Sequence, residues 1–141
     1  MTASRLHELR KSFDALCHNL TAGEEYRSWF KTSPAHDGSA HIELAGDTFQ
    51  FVVTERGSEF ERRQTKDAEV VLYWLMSHVT SDMALGYELH NRRPQEDFRR
   101  QYFAEQERLL RLLRSDWADA FGERMRDILK AHPFSDPGKA P

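Results

Sequence analysis

The chain has 141 residues, 39% of them hydrophobic and 30% charged, with 20 Lys and Arg against 23 Asp and Glu. That length suits one domain with a core large enough to need no covalent staple. A formal net charge of −3 lacks the basic excess of a phosphate-backbone binder, so no direct nucleic-acid binding is expected; the single cysteine, Cys17, excludes an intrachain disulfide and suits a reducing compartment.

The opening MTASRLHELRK lacks the apolar core of a signal peptide. No apolar run approaches the ~20 residues that span a bilayer. A cytoplasmic protein without membrane contact is therefore expected. Residues 4–22 carry Leu6, Leu9, Phe13, Leu16 and Leu20 at helical spacing, with Ser4 placed to cap the helix and Gly23 to stop or bend it. Cys17 falls between Leu16 and Leu20 and reads as a small apolar helix residue. Tyr26, Trp29 and Phe30 suggest a short helical turn on the core, and the breaker-rich TSPAHDGSA suggests a loop around 34–38.

Alternation of period two begins at His41. Ile42 and Leu44 face one way and His41 and Glu43 the other; Phe49, Phe51 and Val53 then share a face opposite Gln50 and Val52. Gly46-Asp47 predicts a two-residue hairpin turn, and Gly57 a second reversal over 55–58, with a third strand over 58–64. Thr65 is placed to cap a helix over 66–90, with Asp67 and Glu69 in its first turn and Val70, Val71, Trp74, Leu75, Val79, Met83 and Tyr87 as its apolar stripe. Gly86 marks a close approach or a kink in that helix. Pro94 suits the first turn of the next helix, whose core face is Phe98, Tyr102, Leu109, Leu112 and Leu113. Ser115 or Asp116 would cap the last helix, which runs through Trp117, Phe121, Met125, Ile128 and Leu129. The fold class read from this order is α+β: a small antiparallel three-stranded sheet, about residues 40–64, packed against an N-terminal helix and three C-terminal helices. Residues 137–141 read as a disordered tail.

Few residues suggest chemistry. His78 and Asp82 are four apart on a helix and could share a metal, with Glu88 and His90 further along, but zinc sites need three or four ligands and neither HExxH nor CxxC occurs. A small metal-dependent hydrolase using His78 and Asp82 is thus the weakest of three functional readings. Glu59 and Glu61 read as neighbours on one strand face, and Asp97 as the partner of Arg100 or Arg92 in a structural ion pair. Ser58 follows Gly57 without a GxSxG elbow, and no glycine-rich phosphate loop is present. No catalytic residue, cofactor or metal is expected. The arginines stand out instead: Arg56 at a hairpin tip, Arg62 and Arg63 on the third strand, and Arg92, Arg93, Arg99 and Arg100 around Pro94. If Glu59 and Asp97 clamp Arg56 and Arg92, the corner is rigid, which lowers the ordering cost of binding a partner. The expected partner-binding residues are Glu43, Gln50, Arg56, Glu59, Arg63, Arg92 and Arg93.

HIE at 41–43, ERGSEFERRQT at 55–65, YW at 73–74, YELHNRR at 87–93, QEDFRRQYF at 95–103, Trp117 and HPFSD at 132–136 together resemble the immunity protein 63 family of bacterial polymorphic-toxin systems. The resemblance is a whole-domain pattern covering roughly residues 36–136, and it follows Arg56, Gly57, Glu61, Arg62, Arg92, Asp97, Arg99 and Arg100 without separating scaffold from binding surface. It implies a single immunity-protein-like domain over 1–136. It also implies a non-catalytic inhibitor of a cognate toxin domain encoded by an adjacent gene and used in bacterial competition. The alternative is another interaction or regulatory domain with no toxin partner.

Overall fold

The computed structural model describes residues 2–21 and 23–138, with side chains from Arg5 onward. The fold is α+β, and the chain forms two compact units, Met1–Met76 and Ser77–Pro141. The division falls within one long helix. No helix among the described residues is long and apolar enough to cross a membrane.

The first unit opens with α1, Thr2–His18. The cap expected at Ser4 rests on a side chain outside the described residues, and the helix ends four residues earlier than its apolar spacing suggests. Leu20 N–H turns back to Cys17 O at 3.1 Å and Gly23 N–H to Leu20 O at 2.9 Å. A Cβ at Gly23 would lie 1.9 Å from Cys17 O, so only glycine fits where the chain folds against the helix end and enters a 3₁₀ helix, Gly23–Trp29. Leu9, Phe13, Cys17 and Leu20 are buried, and the Phe13 ring meets Phe30 at 5.8 Å between centroids.

Three antiparallel strands follow in the order β1-β2-β3: β1 Asp37–Ala45, β2 Thr48–Glu55 and β3 Ser58–Thr65. Gly46-Asp47 is the two-residue hairpin turn expected, and the reversal expected over 55–58 is a second one, Arg56-Gly57. β1 starts earlier than the alternation suggests, because Asp37 pairs with Glu55 ahead of an irregularity that ends at Ala40. Ile42, Phe49 and Phe51 are buried on one face; Arg5 lies 4.5 Å over the Phe49 ring, and Phe51 meets Trp74 edge-on at 5.9 Å. That face carries the hydrophobic core of the first unit, with Val71, Leu72, Leu75 and Met76 from the next helix. This helix, α2, spans Ala68–His90. Its cap is Asp67, whose carboxylate accepts the Glu69 N–H at 2.9 Å, whereas Thr65 ends β3 and accepts the Asp67 N–H at 3.1 Å. Gly86 has open space around its missing Cβ, so it marks no close approach, and the helix continues through it.

The second unit holds the rest of α2, α3 (Arg99–Leu113) and α4 (Ser115–Ala131). Pro94 starts no helix. It occupies the second position of a turn closed by Glu96 N–H to Arg93 O at 3.0 Å, where its fixed φ is favourable. Asp97 caps the following segment, accepting the Arg99 N–H at 3.0 Å. α4 begins after Arg114 with no side-chain cap, so neither Ser115 nor Asp116 serves as one; Asp116 binds Arg114 at 2.7 Å instead. Gln106 reaches Ser77 O at 3.0 Å, Ser81 bonds Tyr102, and Leu109, Leu110, Trp117, Ala118 and Phe121 are buried. Phe98, Leu112 and Tyr87 are exposed, contrary to their expected core positions. Pro137 and Gly138 form a turn, with Gly138 N–H on Gln95 O at 3.3 Å; positions 139–141 of the expected tail lie outside the described residues.

Candidate partner-binding surface

Strand register decides what the sheet shows to solvent. Ile42, Phe51 and Arg63 form one cross-strand row on the core side, and His41, Val52 and Arg62 form the adjacent row on the other. Glu61 pairs with Val53 but Glu59 pairs with Thr54, so Phe60 is the extra residue of a β-bulge. The bulge separates Glu59 from Glu61: they do not share a face, as simple alternation suggests. Glu59 comes round to the side of Arg62, and Glu61 stays with Arg63.

Arg62 organises the outer face. Its Nε donates to Glu59 Oε1 at 2.8 Å, and its Nη1 donates to Glu43 Oε1 at 3.2 Å and to Gln50 Oε1. A side chain that starts on β3 and ends on β1 must lie across β2, and Val52, its register neighbour, is only 1% exposed. Glu43 is held from its other side by buried His41, whose Nε2 donates to Glu43 Oε2 at 2.8 Å. That hydrogen bond, aided by Arg62, keeps the Glu43 carboxyl below its ordinary value, while Glu59 and then Glu43 raise the Arg62 guanidinium. The result is a flat array of fixed charges across three strands.

At the end of the sheet, Arg56 and Gly57 form the β2–β3 turn with φ of +51° and +81°. The Arg56 N–H donates to His36 O at 3.0 Å, and its side chain is exposed with no ion-pair partner among the described residues.

Of the sequence-predicted residues, Glu43, Gln50 and Glu59 thus meet around Arg62, with Arg56 at the tip of the same sheet. Arg63 faces the other way: it pairs with Glu61 and lies 5.7 Å from the Phe51 ring and 5.5 Å from Trp74. Arg92 and Arg93 belong to the second unit. The expected clamps do not form. Arg92 binds buried Glu88 through two hydrogen bonds of 2.7 and 3.2 Å, and Arg93 approaches Glu96 at 3.7 Å. Asp97 pairs with Arg99 at 2.8 Å, not with Arg92 or Arg100, and also accepts the Ser135 N–H at 3.0 Å. Asp136 accepts the Asp97 N–H and two hydrogen bonds from Arg100, at 2.8 to 2.9 Å. Arg99 completes this strap by donating to His132 O and Pro133 O, each at 2.9 Å. The Arg99 guanidinium holds the Asp97 carboxyl well below the usual carboxylate range, helped by the Ser135 and Arg99 amides.

His78 is half-buried and Asp82 exposed on α2, and among the described residues no three His, Cys, Asp or Glu side chains converge as metal ligands. Burial pushes the Cys17 thiol up to about 11, which keeps it protonated at neutral pH. The chemistry these groups support is recognition by fixed charge. Sequence reasoning missed Arg62 as the hub, and its only local signal was an acid three residues before it in a strand.

A family model described as Immunity protein 63 matches residues 46–127, a stretch that includes β2, β3 and Arg62. Comparison with curated proteins and with solved structures returns no match.

Proposed function

The chain belongs to the immunity protein 63 family, and on that footing we propose that it is a non-catalytic inhibitor that binds and neutralises a cognate bacterial toxin domain in the cytoplasm, encoded by an adjacent gene. The family match over 46–127 carries this reading. The Arg62 array supports it, because charges already fixed against one another lose little side-chain entropy when a partner docks. The proposed toxin-facing surface is Glu43, Gln50, Glu59 and Arg62 with Arg56 at the tip.

Arg56 adds weight. A non-glycine residue at φ +51° costs stability, and such strain often marks a functional position. Co-expression with the toxin gene next door tests the role: the chain is expected to restore growth and to bury about 1,200–2,000 Å² with the toxin domain. Failure of the purified chain to bind that domain would overturn the proposal. Glu43→Lys with Arg56→Glu is expected to weaken binding while circular dichroism stays unchanged; full-strength binding by that double variant would move the surface elsewhere.

A further inference from the structure

We infer that buried His41 is a positioning residue for toxin recognition, holding the Glu43 carboxylate so that it and Glu59 receive a cationic side chain of the toxin. This deepens the inhibitory role proposed above and rests on it.

His41 is a costly residue for its place. It pairs with Val52 across the β1–β2 ladder and is only 2% exposed. A carboxylate can only accept, so the ring proton lies on Nε2, which donates to Glu43 Oε2 at 2.8 Å. Nδ1 is buried and has no hydrogen-bond partner among the described residues. A buried polar atom left unpaired lowers stability, and an aliphatic side chain would fill the same place without that penalty. The hydrogen bond the ring does make goes to a carboxylate that is itself 42% exposed. The benefit of His41 therefore falls at the surface, on the direction in which Glu43 points.

Both Glu43 oxygens are engaged. Oε2 takes the His41 proton, and Oε1 takes one from Arg62 Nη1 at 3.2 Å. A long side chain pinned at both oxygens has little freedom left to lose when a partner docks. The His41 hydrogen bond is also the largest influence keeping this carboxyl ionised.

The groups still unspent name the partner's chemistry. Four of the five Arg62 N–H groups are committed, to Glu59 through Nε and Nη2 and to Glu43 and Gln50 through Nη1. Glu59 Oε1 accepts both of its hydrogen bonds from Arg62, while Oε2 accepts none among the described residues. Two carboxylates, Glu43 and Glu59, share one guanidinium, which leaves the group with a formal charge of −1. A toxin carboxylate would find most of the Arg62 donors taken and two like charges beside it. An ammonium or guanidinium would find open acceptors on Glu59 and a fixed carboxylate at Glu43.

The test uses the full chain and the neighbouring toxin domain, inactivated by substitution. Gln carries a donor where His carries Nε2, and Phe carries none. His41→Phe is expected to weaken binding about tenfold or more, and His41→Gln by less than about threefold. Glu43→Gln and Glu59→Gln are each expected to weaken it about tenfold. On the Glu43→Gln background His41→Phe is expected to add little, because both act through one carboxylate. Carboxyl NMR titration of Glu43 in the free chain is expected to move up in His41→Phe and to stay near wild type in His41→Gln, a pattern that ring packing alone would not give. If His41→Phe does not fold, His41→Asn, which draws the donor back toward the backbone, takes its place with the same expectations. Wild-type affinity in His41→Phe or His41→Asn, or a loss in His41→Gln as large as theirs, overturns the inference and leaves the inhibitory role standing. Wild-type affinity in both Glu43→Gln and Glu59→Gln does the same. No binding by the wild-type chain removes the inhibitory role and the inference together.

Discussion

A guanidinium stretched across three strands ties Glu43, Gln50 and Glu59 together, so Arg62 can be probed without opening the core. Its ion pairs are half in solvent and each is worth little alone, while its stem shields Val52 from water. Arg62→Ala is therefore expected to lower the urea unfolding midpoint, and Arg62→Lys to recover only part, because an ammonium cannot reproduce the planar fork. An unchanged midpoint for Arg62→Ala would mean the array is not held together in solution. Arg56 predicts the opposite sign. The left-handed backbone there suits Asn or Gly better than Arg, so Arg56→Asn is expected to stabilise the fold by ~0.5–1 kcal/mol and, on the proposed role, to weaken toxin binding. A variant destabilised by the exchange would show that the arginine is held by contacts worth more than the strain.

Turns were legible in the sequence and cross-strand geometry was not. Gly46 and Gly57 announce the two hairpin reversals because few residue types accept positive φ. The bulge at Phe60 has no glycine to mark it, and without it alternation puts Glu59 and Arg62 on opposite faces. Nothing local separates Arg63, which faces the core side, from Arg62, which crosses the outer face: adjacent arginines differ only in which side of the sheet they take. The cap of α2 lies two residues beyond the expected Thr65, because Thr65 and Asp67 both suit the role and Asp67 has the direct bond to Glu69. The strap at the start of α3 joins residues nearly 40 positions apart, which no local pattern reveals. It does predict a pH dependence. Asp97 is depressed below its ordinary value in the folded chain, so the unfolded chain binds the proton more readily. The stabilising contribution is therefore complete above about pH 5 and is lost as pH falls through the carboxylate range. Asp97→Asn is expected to be less stable than wild type at pH 7, with the difference shrinking from about pH 5 toward pH 2 in chemical unfolding. A constant difference across that range would show that Asp97 acts only as a hydrogen-bond acceptor.

The negative charge of the molecule is unevenly placed. Residues 1–76 hold 9 Lys and Arg against 12 Asp and Glu, whereas residues 77–141 hold 11 of each, so the whole formal charge of −3 sits in the unit that carries the sheet. Much of the charge in the second unit is also engaged locally, as in Arg92 with Glu88, Arg99 with Asp97 and Arg108 with Glu105. An approaching toxin would thus meet its long-range field mainly from the sheet unit. Complementary fields raise the rate of encounter more than they lengthen the life of a complex, and salt screens them over about 8 Å at physiological ionic strength. If the toxin face is basic, raising salt from about 50 to 500 mM should slow association roughly tenfold or more while dissociation changes by less than about threefold. Stopped-flow mixing with the inactivated toxin domain measures both constants. An association rate indifferent to salt would assign recognition to shape, with the acidity of the sheet unit playing no part in steering.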